Sequence, residues 1–196
     1  MDAKGKALLA ADVQAEVAAW EKKNGFSAID WTVLDPVSFK SEAGATFTKQ
    51  PDHSLLAGGT RADADIYTIS AEADLKDVTA VRLEVLADDS LPLHGPGRAD
   101  NGNLALSEIK IQCAPKAHPE SITTLKPQNP TADYNEKFNG VDYDITKALD
   151  GDDETSWGVY PEIGRSHFAI FELNERLPFE GPAVITFVIS KVAVSE

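Results

Sequence analysis

Two runs of this chain alternate apolar and polar side chains at nearly every step: Val81-Arg82-Leu83-Glu84-Val85-Leu86 and Leu106-Ser107-Glu108-Ile109-Lys110-Ile111. A strand sends successive side chains to opposite faces of a sheet, so such a run has one dry face and one wet face. Wound as a helix, it would spread its apolar residues around the whole circumference. Together with these, the candidate strands cover residues 29–34, 37–42, 45–49, 54–57, 65–71, 78–86, 103–113, 167–173 and 183–191, with turn residues between them. The dry faces must cover one another, which predicts an all-β chain with sheets packed face to face. With 196 residues and 42% hydrophobic content, there is material for one sizeable core.

One segment departs from this period. Leu9, Val13, Val17 and Trp20 recur at helical spacing within residues 8–23, and Asn24-Gly25 follows as a C-cap signal. The expected organisation is a helical linker or packing helix over residues 1–27 and a β domain over residues 28–196. Two stretches, 87–102 and 114–146, exceed ordinary connection lengths and are expected to be functional or locally disordered. No apolar run is long enough to span a bilayer, and residues 1–6 carry no secretory h-region. The chain reads either as a cytosolic protein or as a domain of a longer exported one. Its stop at Ser195-Glu196, directly after a strand, favours the second reading.

Charge narrows the partners. Asp and Glu number 32 against 18 Lys and Arg, a formal net charge of −14. Phosphate backbones require a basic stripe, so no nucleic-acid partner is expected, whereas an acidic surface suits divalent cations. Cys113 is the only cysteine. It can form no intrachain disulfide or cysteine zinc site, and it sits in an alternating run, so it reads as a core residue without chemistry. The four histidines, His53, His94, His118 and His167, fall at no metal-ligand spacing and form no recognisable triad.

The motif with the most chemistry is Asp150-Gly151-Asp152-Asp153-Glu154-Thr155-Ser156-Trp157, preceded by Lys147-Ala148-Leu149. Four acids, a glycine and a hydroxyl in one short loop can supply the six to eight oxygens that calcium takes. Gly151 permits the sharp turn, and Trp157 anchors the chain beyond it. The spacing is not that of an EF-hand.

This loop resembles the Asp-Gly-x-x-x-Thr-x-Trp loop of discoidin-like and related galactose-binding-like carbohydrate-binding modules. The resemblance implies a jelly-roll β-sandwich with one structural Ca2+. Its ligands would fall on Asp150, Asp152 and Thr155, with a carbonyl from Lys147 or Ala148. The family completes the site with a Glu in a strand of the form apolar-Ser-Glu-Ile-x-Val, normally the last strand. Leu106-Ser107-Glu108-Ile109-Lys110-Ile111 has that form but precedes the loop. A circular permutation accounts for the reversed order, since the termini of compact domains tend to lie close together. The resemblance then makes Glu108 the carboxylate that closes the site.

A wider likeness covers about residues 30 to 190. Trp31-Thr32-Val33-Leu34 through Gly44-Ala45-Thr46, Tyr67-Thr68-Ile69, Arg82 to Leu86, Leu91-Pro92-Leu93-His94-Gly95-Pro96-Gly97-Arg98 and Asn101 to Glu108 resemble a domain of large bacterial cytochrome-c-associated multidomain proteins. Those proteins are exported, which implies an extracellular or periplasmic setting. The chain has no Cys-x-x-Cys-His motif, so any haem would belong to a neighbouring domain.

Sugar binding needs an exposed aromatic platform with polar groups beside it. Trp31 and Trp157 are expected to be buried, which leaves Tyr134, Phe138, Tyr143 and Tyr160, on or beside loops, as the candidate platform. They serve equally to pin a long loop. His94-Gly95-Pro96-Gly97-Arg98 reads either as an anion loop, with Arg98 as a bidentate fork, or as a rigid loop whose Arg98 pairs with Asp100 or Glu108.

The expected function is a non-catalytic carbohydrate-binding module, monomeric as an isolated domain, taking a polysaccharide or glycan and not inserting into membranes. Its candidate ligand residues are Tyr134, Tyr143, Tyr160, Arg98 and His94. The rival readings are a structural or protein-interaction spacer of a cytochrome-associated protein and a polysaccharide-active enzyme.

Overall fold

The computed structural model describes residue 15, residues 30–179 and residues 181–191. The chain divides into two compact units, Met1–Val33 and Leu34–Glu196. The helix read at residues 8–23 lies outside the described residues except for Ala15, which is helical. Of the strand expected at 29–34, the described residues 30–34 form none. Residues 30–33 are irregular, and Trp31, expected to be buried, is 38% exposed.

From Leu34 onward the described chain is all β. Its strands are β1 (Pro36–Ser41), β2 (Ala45–Lys49), β3 (Leu55–Gly59), β4 (Asp65–Ala73), β5 (Ala80–Val85), β6 (Glu108–Pro115), β7 (Thr123–Leu125), β8 (Pro127–Ala132), β9 (Glu136–Phe138), β10 (Val141–Tyr143), β11 (His167–Leu173) and β12 (Ala183–Lys191). Two short 3-10 turns, Pro92–His94 and Ile145–Leu149, are the only helical segments described in this unit.

An antiparallel five-stranded sheet runs in the order β1-β4-β12-β6-β7. A second antiparallel sheet runs β5-β11-β8, and β2-β3 and β9-β10 form separate hairpins. The alternating residues meet between the two larger sheets. Ile109, Ile111 and Cys113 of β6 and Ile185 of β12 share one buried cluster with Ala169, Phe171 and Leu173 of β11, and Trp157 and Val159 join it from the loops. β12 pairs along its whole length with β4 on one side and β6 on the other. Ala183 and Ile185 of this strand are buried and its other residues are partly covered.

The 114–146 stretch, expected to be irregular, contains four short strands. β8 reads Pro-Gln-Asn-Pro-Thr-Ala, which offers neither alternation nor β-propensity, and proline cannot donate to a ladder. It survives because it lies at the edge of its sheet, paired only to β11. β9 and β10 are joined by Asn139-Gly140, both at positive φ (49° and 80°), the two-residue turn that matches strand twist.

A buried carboxylate organises the turn between β1 and β2. Asp65, 4% exposed, accepts on Oδ1 from the backbone N–H groups of Glu42, Ala43 and Ile66, and on Oδ2 from the Ser41 hydroxyl at 2.6 Å. Its burial raises the proton affinity, and the four donors more than reverse this, holding the carboxyl below its ordinary range. Phe47 of β2 packs edge-on against Phe39 of β1 and Tyr67 of β4 (centroids 5.9 and 4.9 Å), which seats the β2-β3 hairpin on the large sheet.

Candidate functional site

The acidic loop leaves the 3-10 turn Ile145–Leu149 and ends where Trp157 enters the core. The Asp144 side chain caps that turn by accepting from Thr146 N. Asp150 Oδ1 then accepts from Asp152 N at 3.0 Å, and Asp150 Oδ2 accepts from the Thr155 hydroxyl at 2.8 Å. The Thr155 hydroxyl also lies 3.2 Å from the Asp152 carbonyl, and Asp152 Oδ1 accepts from Glu154 N. Gly151 stands at φ 79°, a conformation glycine adopts without strain. Trp157 is fully buried, donates Nε1–H to the Tyr134 carbonyl at 2.9 Å, and exchanges both backbone bonds with Leu106.

That exchange lays the Ser-Glu-Ile run against the loop. Gly151 N donates to Glu108 Oε1 at 2.6 Å across a separation of 43 residues. Glu108, Asp150, Asp152 and Thr155 are therefore one neighbourhood. Burial raises the Glu108 carboxyl above its ordinary range. The Gly151 N–H opposes that rise, and the Asp150 and Asp153 carboxylates add to it. Asp150 shifts the other way, because the Thr155 hydroxyl, the Asp152 N–H and the Lys147 ammonium outweigh its own desolvation. Lys147 Nζ lies 3.5 Å from Asp150 Oδ2.

The donor set is all oxygen and carries crowded negative charge, the chemistry a hard cation takes. Among the described residues no three His, Cys, Asp or Glu side chains group as a metal cluster. Backbone carbonyls and the Thr155 hydroxyl would complete the shell, with the ion relieving the repulsion felt by Glu108.

The aromatic candidates separate. Tyr134 packs against the core, with its ring 6.0 Å from that of His167. Tyr143 is half-buried on β10. Phe138, 47% exposed at the tip of β9, stands edge-on to Tyr160 at 5.9 Å and 87°, and Val141 beside it on β10 is 51% exposed. Beneath this pair Glu136, 5% exposed, accepts on Oε2 from Asn103 Nδ2 at 2.8 Å and from Tyr160 N at 3.1 Å. Asn103 Oδ1 in turn accepts from Val159 N. A Cβ on Gly158 would lie 2.3 Å from Glu136 Oε2, so glycine is needed for that approach.

This Asn103–Glu136 pair was not found by sequence reasoning, nor was His167–Asp133. His167 is 1% exposed, with Nδ1 3.0 Å from Asp133 Oδ2 and Nε2 2.7 Å from the Glu162 carbonyl. Both ring nitrogens face acceptors, so this histidine braces the 162–167 loop. No spacing rule reaches pairs 33 and 34 residues apart.

In the His94–Arg98 loop, the glycines and Arg98 have partners other than those expected. His94 points outward, 71% exposed in its side chain and 3.3 Å from Asp89. Gly95 and Gly97 do not free amides for an anion. They let two backbones touch, since a Cβ on Gly97 would lie 1.8 Å from the Asn103 carbonyl oxygen. Arg98 pairs with neither Asp100 nor Glu108. It donates to the carbonyls of Gly59 and Thr60 (2.7 and 3.1 Å), while Arg61 holds Asp100.

Comparison with protein-family models, curated proteins and solved structures returns no match. The resemblances read from the Asp-Gly loop and the Ser-Glu-Ile run therefore rest on those residues alone.

Proposed function

We propose that residues 34–196 form a jelly-roll-type β-sandwich that binds carbohydrate without catalysis, as part of a larger exported protein. In this reading the Phe138–Tyr160 pair is the ligand surface and the 150–157 loop takes one structural calcium. The supporting observation is the exposed Phe138 ring. It is held edge-on to Tyr160 at the tip of a tight hairpin, where a phenylalanine left half in water has an unused apolar face for a sugar ring. The buried Glu136–Asn103 pair fixes the Tyr160 backbone beneath it, so the platform is preorganised.

A glycan array probed with the wild-type domain is expected to give retained neutral or acidic polysaccharides. A blank array, with affinity electrophoresis also blank, removes the carbohydrate reading.

Calcium is tested separately. An ion bound only by the native state at about 100 times its Kd stabilises by about 2.7 kcal/mol. For a chain of this size that raises Tm by roughly 5–10 °C. Asp150→Ala should abolish the rise. Glu108→Gln is more discriminating, because its amide oxygen can still accept the Gly151 N–H while the repulsion from Asp150 and Asp153 disappears. Its Tm in chelator should equal or slightly exceed that of the wild type, and calcium should no longer raise it. A wild-type Tm identical with calcium and with chelator contradicts the site.

A further inference from the structure

Among the described residues, one arginine of this acidic chain forms no ion pair with a carboxylate. Arg61, Arg82, Arg165 and Arg176 each form an ion pair with Asp or Glu. Arg98, held by the Gly59 and Thr60 carbonyls and set beside the Tyr67 hydroxyl, does not. Two of its five N–H groups are used on the carbonyls. The guanidinium lines an open cavity of about 330 Å³ between the β2-β3 hairpin and the loop carrying Ser90 to Arg98.

Arg61 lines the same cavity, as do the hydroxyl residues Thr48 and Ser90 and the apolar side chains of Leu56 and Leu91. Charges of both signs surround it. Lys191 donates to the Ala62 carbonyl at 2.7 Å, and burial pushes its ammonium below the ordinary lysine range, with Asp65 and Asp63 opposing the fall and Arg98 and Arg61 adding to it. Burial raises the proton affinity of the Tyr67 hydroxyl, and the neighbouring Arg98 opposes that rise.

We infer that this cavity is an anion subsite and that its ligand is the carboxylate of an acidic sugar. The inference rests on the carbohydrate reading above and deepens it by naming the ligand class. A guanidinium fork matches a planar carboxylate with two parallel hydrogen bonds. The hydroxyls suit the hydroxyl groups of the ring, and Leu56 and Leu91 suit its apolar face. A volume near the lower end of the range for small-molecule sites accommodates one or two sugar residues.

The test is calorimetric titration of the whole chain with a uronate trisaccharide, the neutral trisaccharide of the same linkage, and sodium sulfate. The uronate is expected to bind at least about tenfold more tightly than the neutral sugar, with the advantage shrinking in high salt. Arg98→Lys, which keeps the charge but loses the fork, should remove most of it. Thr48→Glu places a competing carboxylate in the cavity while leaving Arg98 and its carbonyl bonds untouched, and it should abolish the preference at unchanged Tm.

Equal affinity for the two trisaccharides overturns the subsite, as does uronate binding indifferent to Thr48→Glu. Sulfate competing as strongly as the uronate overturns the acidic-sugar assignment. A neutral sugar that binds through Phe138 while the uronate gains nothing defeats the subsite alone. Failure of every sugar on wild-type protein defeats both readings.

Discussion

Trp157→Ala is expected to cost about 4 kcal/mol, read as a fall in the midpoint of urea unfolding monitored by far-UV circular dichroism. The indole is fully buried in the cluster shared by the two sheets, and truncating a buried Trp to Ala falls in the range of about 3–5 kcal/mol. Its loss also orphans the Tyr134 carbonyl that receives the Nε1–H. Since domains are stable by only about 5–15 kcal/mol, the variant should sit near the threshold of folding, with Tm lowered by roughly 8–16 °C. Trp157→Phe keeps most of the volume and should lose less than half as much. An alanine variant as stable as the wild type would mean that the indole does not anchor the acidic loop.

The second large effect is expected at Asp65. Asp65→Ala removes an acceptor from the Ser41 hydroxyl and from three backbone N–H groups, of which Glu42 N keeps the Ile66 carbonyl and Ala43 N the Ser41 oxygen, and a loss of about 2–3 kcal/mol follows. Asp65→Asn retains an oxygen for the backbone donors and should lose markedly less. The pH dependence distinguishes this account from simple loss of packing. The folded carboxyl is held below the ordinary aspartate value of 3.8, so its contribution is complete above that value and is lost as pH falls through the lower folded one. The gap in urea midpoint between wild type and Asp65→Ala should therefore be constant from pH 7 to about 5 and narrow below about pH 4. A gap independent of pH down to the acid transition would contradict the role of the charge.

How much of this was legible in sequence depended on whether a residue's partner was local. β11 and β12 begin and end where their alternating or apolar runs do, because each strand's burial is written into its own residues. β6 starts five residues later than its run. Asn103 to Ser107 bury side chains without joining the sheet, and period alone does not separate burial from pairing. β8 was invisible because an edge position tolerates prolines that a central strand would not. The β9-β10 hairpin was legible and overlooked, since Asn139-Gly140 is a strong short-range hairpin signal.

At the site the same division holds. Motif form read Glu108 as the carboxylate closing a metal site on the acidic loop; the structure sets it beside that loop, where it accepts from Gly151 N. The four-aromatic platform was too broad. Which aromatic stays outside is decided by the hairpin tip, which lifts Phe138, and by the Trp157 and His167 contacts that draw Tyr134 inward. The role of Arg98 could not be read locally, because its partners are backbone carbonyls nearly forty residues earlier.

The most direct test of the carbohydrate reading is affinity electrophoresis of wild type and Phe138→Ala through gels containing each polysaccharide in turn. Phe138 is about half exposed and makes one ring contact, so its removal should leave Tm within about 2 °C of the wild type. The account predicts retardation of the wild type by at least one polysaccharide and its loss in Phe138→Ala. Equal retardation of both proteins would contradict it.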